Sequence, residues 1–314
     1  VSFASGLFDD HFLSPDASGF PLRLKVRTGT TIGKHDDQLS LGGREGRIIA
    51  NLSAPARRYL AALGAPDPDS DPATGAAVWL HALALACSPA YLTENADGVQ
   101  KDWPRIPLPA SREVLLSSAA LGRRIADLLD PDTPVPGITS GQVAEDIQTL
   151  AAVAPAPGIT AVRPEAGHLE ITAGWGFVGK EGVIMPGRGR LVERPYSEEE
   201  RGQIEAGARA RGLDPAEAFK RLGSTTCDVY LNEAVYWKNI PAKVWEHYIG
   251  GYQVIKKWLS YREKDILGRG LSVEEVRHVT ATARRLAALR LLEPDLDRNY
   301  MTVKANTYEW PGPE

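Results

Sequence analysis

Between Tyr230 and Gly270 the chain reads YLNEAVYWKNIPAKVWEHYIGGYQVIKKWLSYREKDILGRG, and its punctuation leaves few local folds open. Pro241 suits the first turn of a helix, where its missing N–H costs nothing. The pair Gly250-Gly251 permits positive φ and must break any helix that reaches it. The spacing predicts a short helix over 241–249, with Val244, Trp245, Tyr248 and Ile249 on one face. It predicts a second over about 252–262 that buries Tyr252, Ile255 and Leu259. Gln253, Lys256, Lys257 and Arg262 then point elsewhere. Such a turn offers free backbone N–H groups at a helix start beside lysines, which suits a phosphate.

The charge of this stretch sets it apart. It holds seven Lys/Arg and four Asp/Glu, so it is net +3 inside a chain that is net −4. It also holds Trp237, Trp245 and Trp258, three of the seven tryptophans. A basic, aromatic segment in an acidic chain suggests a nucleic-acid face; a solvated helix pair with core aromatics is the plainer reading. Trp237, Lys238 and Asn239 precede the first helix and read as a loop. Lys238 suits a phosphate, and Asn239 can read adenine N6/N7 or simply make a turn. Trp245 and Trp258 read as core rather than base-stacking residues. Gln253, Lys256, Lys257 and Arg262 are assigned to backbone positioning, with Gly250 and Gly251 as the close-approach point.

The remainder bounds the class. With 314 residues, 43% hydrophobic and 24% charged, the chain can bury a real core in one large domain or two to three subdomains. No apolar run approaches the roughly 18 residues of a membrane span. The start, VSFASGLFDD, lacks the basic and apolar parts of a signal peptide, and its first residue suggests a piece of something longer. Cys87 and Cys227 form neither a disulfide framework nor a zinc set, which makes a reducing cytoplasm the default compartment.

In order, FPLRLKV (20–26) reads as a strand, with turn signals at Gly42-Gly43 and Gly46. AAVWLHALALACSPAYL (76–92) reads as a buried helix ended by Pro89. His81 within it reads as a core or boundary histidine rather than a ligand. KDWPRIPLP (101–109) is extended, because each proline pushes its predecessor out of the helical region. Ser111 caps a helix over about 112–129. Residues 130–163 read as a proline-rich junction around a short helix near 141–152. Residues 166–196 give two or three strands with glycine turns, and 197–223 a charged helix pair broken at Gly212. TCDVYLN (226–232) reads as a strand. A capping box, Ser272 with Glu275, opens a helix to about 292 that Pro294 stops. Trp310 docks the tail.

Other motifs weigh less. GWGFVGKE (174–181) satisfies G-x-G-x-x-G but is followed by VIMPGRGRLV, which is no helix, so a Gly-rich hairpin is the better reading. GRGRLVER (187–194) places Arg188, Arg190 and Arg194 on a strand or hairpin, where residues two apart share a face. They can grip guanine or a narrow minor groove, or merely keep an edge strand soluble. His168-x-Glu170 lacks the cysteines of a deaminase zinc site.

IGGYQVIKKWLSYRE followed by LGRGLSVEE resembles a segment of the target-recognition domains of N6-adenine DNA methyltransferases in type IIG and type ISP restriction–modification enzymes. The run VYLNEAVYWKNIPAKVWEHYIGGYQV is most similar to the type ISP C-terminal specificity domain. SPAYL…KDWPRIPLP, some 140 residues upstream, resembles a second phrase of the same families. The resemblance implies sequence-specific binding of double-stranded DNA, alongside a methyltransferase domain or subunit that flips an adenine. The family's catalytic tetrapeptide, of the N/D-P-P-Y/F type, is absent, as are a Walker motor and a nuclease motif. The resemblance therefore implies a specificity part with no catalytic residues and no cofactor or metal of its own. S-adenosylmethionine, and in the type ISP case ATP and Mg²⁺, would serve the associated parts.

The expected fold is α+β, with helical subdomains flanking a small Gly-rich antiparallel β segment. Its parts are an N-terminal α/β part (1–135), a junction (136–163), a β-rich segment with charged helices (164–232) and a helical DNA-facing part (233–314). The DNA-binding set is Arg188, Arg190, Arg194, Lys238, Asn239, Gly250, Gly251, Gln253, Lys256, Lys257 and Arg262. The competing function is a protein-docking or coupler subunit, motivated by the acidic balance and long helices.

Overall fold

A computed structural model describes residues 21–27, 46–102, 104–249 and 251–311. Phe20, the turn at Gly42-Gly43, Trp103 and Gly250 lie outside the described residues. The fold is α+β and divides into two compact units. One comprises the described residues through Ala126 and from Pro294 onward; the other is Asp127–Glu293.

In the first unit β1 (Arg23–Arg27) pairs antiparallel with β2 (Gly46–Ala50). Asp69 secures them to α1 (Ala54–Ala62): its carboxylate accepts from Arg57 at 2.8 Å and from the Ala50 N–H at 2.9 Å. Asp71 caps α2 (Pro72–Ala86), with Pro72 in the first turn. Ser88 caps α3 (Pro89–Glu94), so Pro89 opens a second helix as well as closing the first. After α4 (Ala96–Lys101) and the extended proline segment comes α5 (Arg112–Leu129). It meets α2 at Gly122, where a Cβ would stand 1.9 Å from the Leu80 carbonyl oxygen.

The proline segment shows why buried tyrosines and a buried histidine are needed. Pro104, Pro107 and Pro109 donate no N–H, so this strand cannot pair as a ladder. Its alternate carbonyls, which share one side of an extended chain, accept from side chains instead. Tyr91 Oη donates to Arg105 at 3.1 Å, His81 Nε2 to Pro107 at 2.9 Å and Tyr59 Oη to Pro109 at 2.8 Å. Ser118 Oγ lies 2.7 Å from His81 Nδ1, so His81 is a satisfied core residue as expected. Burial pushes its pKa down, which keeps it neutral. Tyr308 packs edge-on against Tyr59 at 4.9 Å, with Trp310 at 6.3 Å, and together they dock the tail.

The second unit is built on a four-stranded antiparallel sheet, in the order β3 (Ala152–Pro155), β8 (Val235–Pro241), β7 (Thr225–Tyr230), β6 (Leu191–Pro195). A separate hairpin pairs β4 (Gly176–Val178) with β5 (Ile184–Pro186). The proline-rich stretch lies inside this unit, and its helix α6 is a single turn, Glu145–Gln148. Ala151 has φ 52°, and the chain there turns into β3 rather than continuing as a helix. The charged pair α7 (Glu198–Ala210) and α8 (Pro215–Leu222) forms as expected, with a Ser197–Glu200 capping box. Trp175, Trp237, Ile147, Leu150, Ile171 and Val229 are fully buried in the core.

Four local expectations fail here, the last of them Pro294 as the end of the final helix. Trp237, Lys238 and Asn239 lie on β8, not on a loop, because Trp237 pairs with both Val153 and Val229. The 241–249 helix shrinks to one turn, α9 (Ala242–Trp245). Tyr248–Ile249 (β9) and Tyr252–Gln253 (β10) then pair across the glycine turn as a hairpin, and α10 begins only at Val254 and runs to Ser260. After α11 (Lys264–Leu267), α12 runs from Val273 to Ala305 with Pro294 inside it. Proline removes one hydrogen bond at a cost of about 3 kcal/mol. Leu291, Leu292, Leu296, Tyr300 and Val303 around it are buried, each worth about 1.5–3 kcal/mol, and that burial holds the helix together.

Candidate nucleic-acid interface

The Gly-rich turn does gather backbone N–H groups around an anion, but the anion belongs to the chain. Trp175 N–H donates to Glu263 Oε1, and the N–H groups of Gly174 and Gly176 also face this carboxylate. Glu263 stands in the YRE of the 230–270 stretch and is buried. Burial raises its pKa more than the three N–H groups lower it, so it sits above the usual carboxylate value. Trp175 completes the junction, with Nε1 donating to the Tyr230 carbonyl at 2.7 Å and its ring 5.2 Å from Trp245. Gly176 fits tightly against α10, since a Cβ there would lie 1.9 Å from the Ser260 carbonyl oxygen.

Glu263→Ala strands these three donors and is expected to cost at least about 3 kcal/mol, at roughly 1–3 kcal/mol per unsatisfied group. Glu263→Gln retains an acceptor and should lose less. A folded pKa above the unfolded one means that the fold disfavours the ionised form. The Glu263 contribution therefore falls as pH rises from the unfolded value through the raised folded value. Urea unfolding of both variants across pH 4–8 checks the size and the sign, and a flat difference across that window would refute the linkage.

Arg194, Lys238 and Asn239 form part of an internal charge cluster. Arg194 Nε and Nη2 meet Asp228 at 2.8 and 3.0 Å, and its Nη1 and Nη2 meet Glu200 at 2.7 and 2.9 Å. Asp228 also accepts from the Asn239 N–H at 3.0 Å. Lys238 Nζ lies 3.6 Å from Glu200. Asn239 is buried at φ 62°, its Oδ1 accepting from Thr226 at 2.9 Å. A base cannot reach that amide while the sheet is folded. Burial raises the Glu200 pKa, but the bonds from Arg194 and Ser197 lower it further, so it stays ionised below the usual range. Arg188 and Arg190 precede β6 and do not share a strand face with Arg194. Both are exposed. The Arg190 guanidinium lies 4.1 Å over Tyr230, whose ring stacks on Tyr236 at 4.9 Å.

Within the 230–270 stretch, three tyrosines are more exposed than the pattern implies. Tyr248 and Tyr252 are 62% and 52% exposed on the β9–β10 hairpin, where Gly251 has φ 82°. Two-residue hairpin turns need such angles, so Gly-Gly signals a hairpin as readily as a helix break. The Val254 N–H, the first of α10, is already given to the His247 carbonyl at 3.0 Å. Gln253 Nε2 donates to the Trp245 carbonyl at 2.6 Å. Arg262 stacks 3.8 Å over Trp258 and lies 3.6 Å from Glu275. Lys257 Nζ sits 4.5 Å from the Tyr252 ring and 4.6 Å from the exposed Tyr261 ring. Among the described residues Lys180, Arg188, Arg190, Lys256 and Lys257 make no ion pair with a carboxylate. Sequence reasoning missed the three exposed tyrosines; the Gly-Gly hairpin signal could have found two of them.

Among the described residues, no cluster of three or more His, Cys, Asp or Glu could hold a metal ion, and no helix is long and apolar enough to cross a membrane.

An α+β chain that folds its anion cradle onto its own carboxylate, while leaving cations and tyrosines uncovered, has the makings of a recognition module. Residues 1–288 match the family model of the Type ISP C-terminal specificity domain, and the chain belongs to that family. It is thus a specificity domain of the restriction–modification class, concerned with DNA target recognition. No curated protein matches it. Among solved structures it is similar to a chain of the "cryoEM structure DrdV-DNA complex", at 16% identity and a TM-score of 0.41, over 85% of this chain and 20% of that one. It spans about a fifth of that protein's length.

Proposed function

We propose that this chain binds double-stranded DNA sequence-specifically and positions it for an N6-adenine methyltransferase part, within a phage-defence restriction–modification enzyme. The observation that carries the reading is the set of cations left without carboxylate partners, Lys256, Lys257, Arg188 and Arg190, with Lys257 against the exposed Tyr252 and Tyr261 rings and Arg190 over the half-buried Tyr230. Long side chains of this kind suit phosphates, and adjoining rings hold them extended. Of the residues expected to touch DNA, these four cations and Gly251 stay in the proposal. Arg194, Asn239, Gln253 and Arg262 are engaged inside the fold, and Lys238 is paired with Glu200. S-adenosylmethionine is assigned to the associated methyltransferase part.

Binding to random duplex DNA across a salt series tests this. The wild type should weaken as salt rises. Lys256→Ala/Lys257→Ala should give a slope shallower by about one to two, because each phosphate that a lysine neutralises adds roughly 0.9 to it. Salt-independent or absent binding, also when the methyltransferase part is present, would refute the proposal and favour the protein-docking role.

A further inference from the structure

The β4–β5 hairpin has an apolar face that nothing in its own unit explains. Phe177 pairs directly with Met185, and the pairing extends to Gly179, whose N–H donates to the Val183 carbonyl at 2.7 Å. In a two-stranded ribbon, opposed residues and those two further along share a face. Phe177, Val183 and Met185 therefore lie together, and the Met185 side chain lies across Gly179, 2.9 Å from where a Cβ would be. The opposite face carries Gly176, which is closed against the Ser260 carbonyl of α10, and Val178, which lies beyond that contact and is 58% exposed. Phe177, Val183 and Met185 are 54%, 55% and 45% exposed.

Cations flank this strip in the chain: Lys180 stands at the hairpin tip, and Arg188 and Arg190 follow β5. Lys256 and Lys257 lie on α10, the helix packed against the opposite face at Gly176. Glu181 is the acidic residue at the tip. An apolar strip edged by unpaired cations matches a DNA groove better than a protein surface, because the cations meet phosphates on either side. A two-stranded ribbon fits the roughly 12 Å major groove, where the apolar feature on offer is the thymine C5-methyl.

We propose that the β4–β5 hairpin lies in the major groove and that Phe177, Val183 and Met185 read thymine methyl groups in the target site. This rests on the DNA-binding reading above and names its specificity element. The exposed side chains hold the fold loosely, so their truncation should leave it intact.

The experiment enriches a preferred duplex from a randomised pool with the wild-type chain, together with its methyltransferase part if the chain alone does not enrich. Each thymine in that duplex is then replaced by uracil, which removes only the methyl. At one or more positions the wild type should bind about threefold to fourfold more weakly, the worth of one buried methyl. Phe177→Ala and Met185→Ala should bind the thymine and uracil duplexes alike, while Lys256→Ala/Lys257→Ala should weaken both equally. No enrichment at all would count against the DNA-binding reading itself, and the hairpin proposal would fall with it. Enrichment with no uracil sensitivity, or with sensitivity unchanged in both hairpin variants, would overturn this proposal and leave DNA binding standing. Loss of association with the methyltransferase part in Phe177→Ala, with DNA binding unchanged, would overturn it in favour of a protein contact.

Discussion

Arg194→Ala is expected to lower the free energy of unfolding by about 3–5 kcal/mol, the usual cost of removing one partner from a buried ion pair. The guanidinium bridges two carboxylates from different elements, Glu200 at the start of α7 and Asp228 in mid-β7. Their side chains are only 4% and 12% exposed, so water cannot replace it. Arg194→Met/Glu200→Gln/Asp228→Asn, which removes all three charges, should recover a large part of the loss. Because Glu200 titrates below its ordinary range, the cluster contributes fully above the unfolded carboxylate value and loses strength as pH falls through the lowered one. Urea unfolding followed by the fluorescence of buried Trp237 measures this. An Arg194→Ala chain of wild-type stability with a shallower DNA salt slope would instead return Arg194 to the phosphate contacts.

Gly176→Val should be comparably damaging, by about 3 kcal/mol, through overpacking. Any Cβ at this position meets the Ser260 carbonyl, which belongs to backbone and cannot swing aside. The hairpin must then lift from α10, or Trp175 must leave its bonds to Glu263 and Tyr230. Gly182→Ala is the fitting control: it is a positive-φ glycine in the same hairpin, with nothing within 4 Å of its Cβ position. It should carry only the modest cost of left-handed strain, about 1–2 kcal/mol. Thermal unfolding of the two variants separates close approach from backbone strain, and equal losses would show that contact with α10 is not what Gly176 provides.

Much of the architecture could be read from side-chain pattern alone. The capping box at Ser272, the helices over 112–129 and 197–223 and the Gly-rich β segment all depend on neighbours a few residues away, and all appear. His81 was legible as a core histidine because a lone imidazole on an apolar helix face needs only one or two nearby acceptors. The candidate site was harder to read. Lys256, Lys257, Arg188 and Arg190 emerged without a carboxylate partner, whereas Arg194 and Lys238, chemically no different in the sequence, are paired with carboxylates.

The sequence by itself determined where helices could begin and break, because caps, prolines and glycines act through bonds to the nearest few residues. Only the tertiary structure decided which cations remain available to a polyanion. That depends on whether a carboxylate from a distant element, such as Asp228 or Glu200, arrives within 4 Å. It also decided that Tyr248–Ile249 and Tyr252–Gln253 pair as a hairpin. It carried Pro294 inside α12 as well, since burial of the side chains around that proline outweighs the local preference.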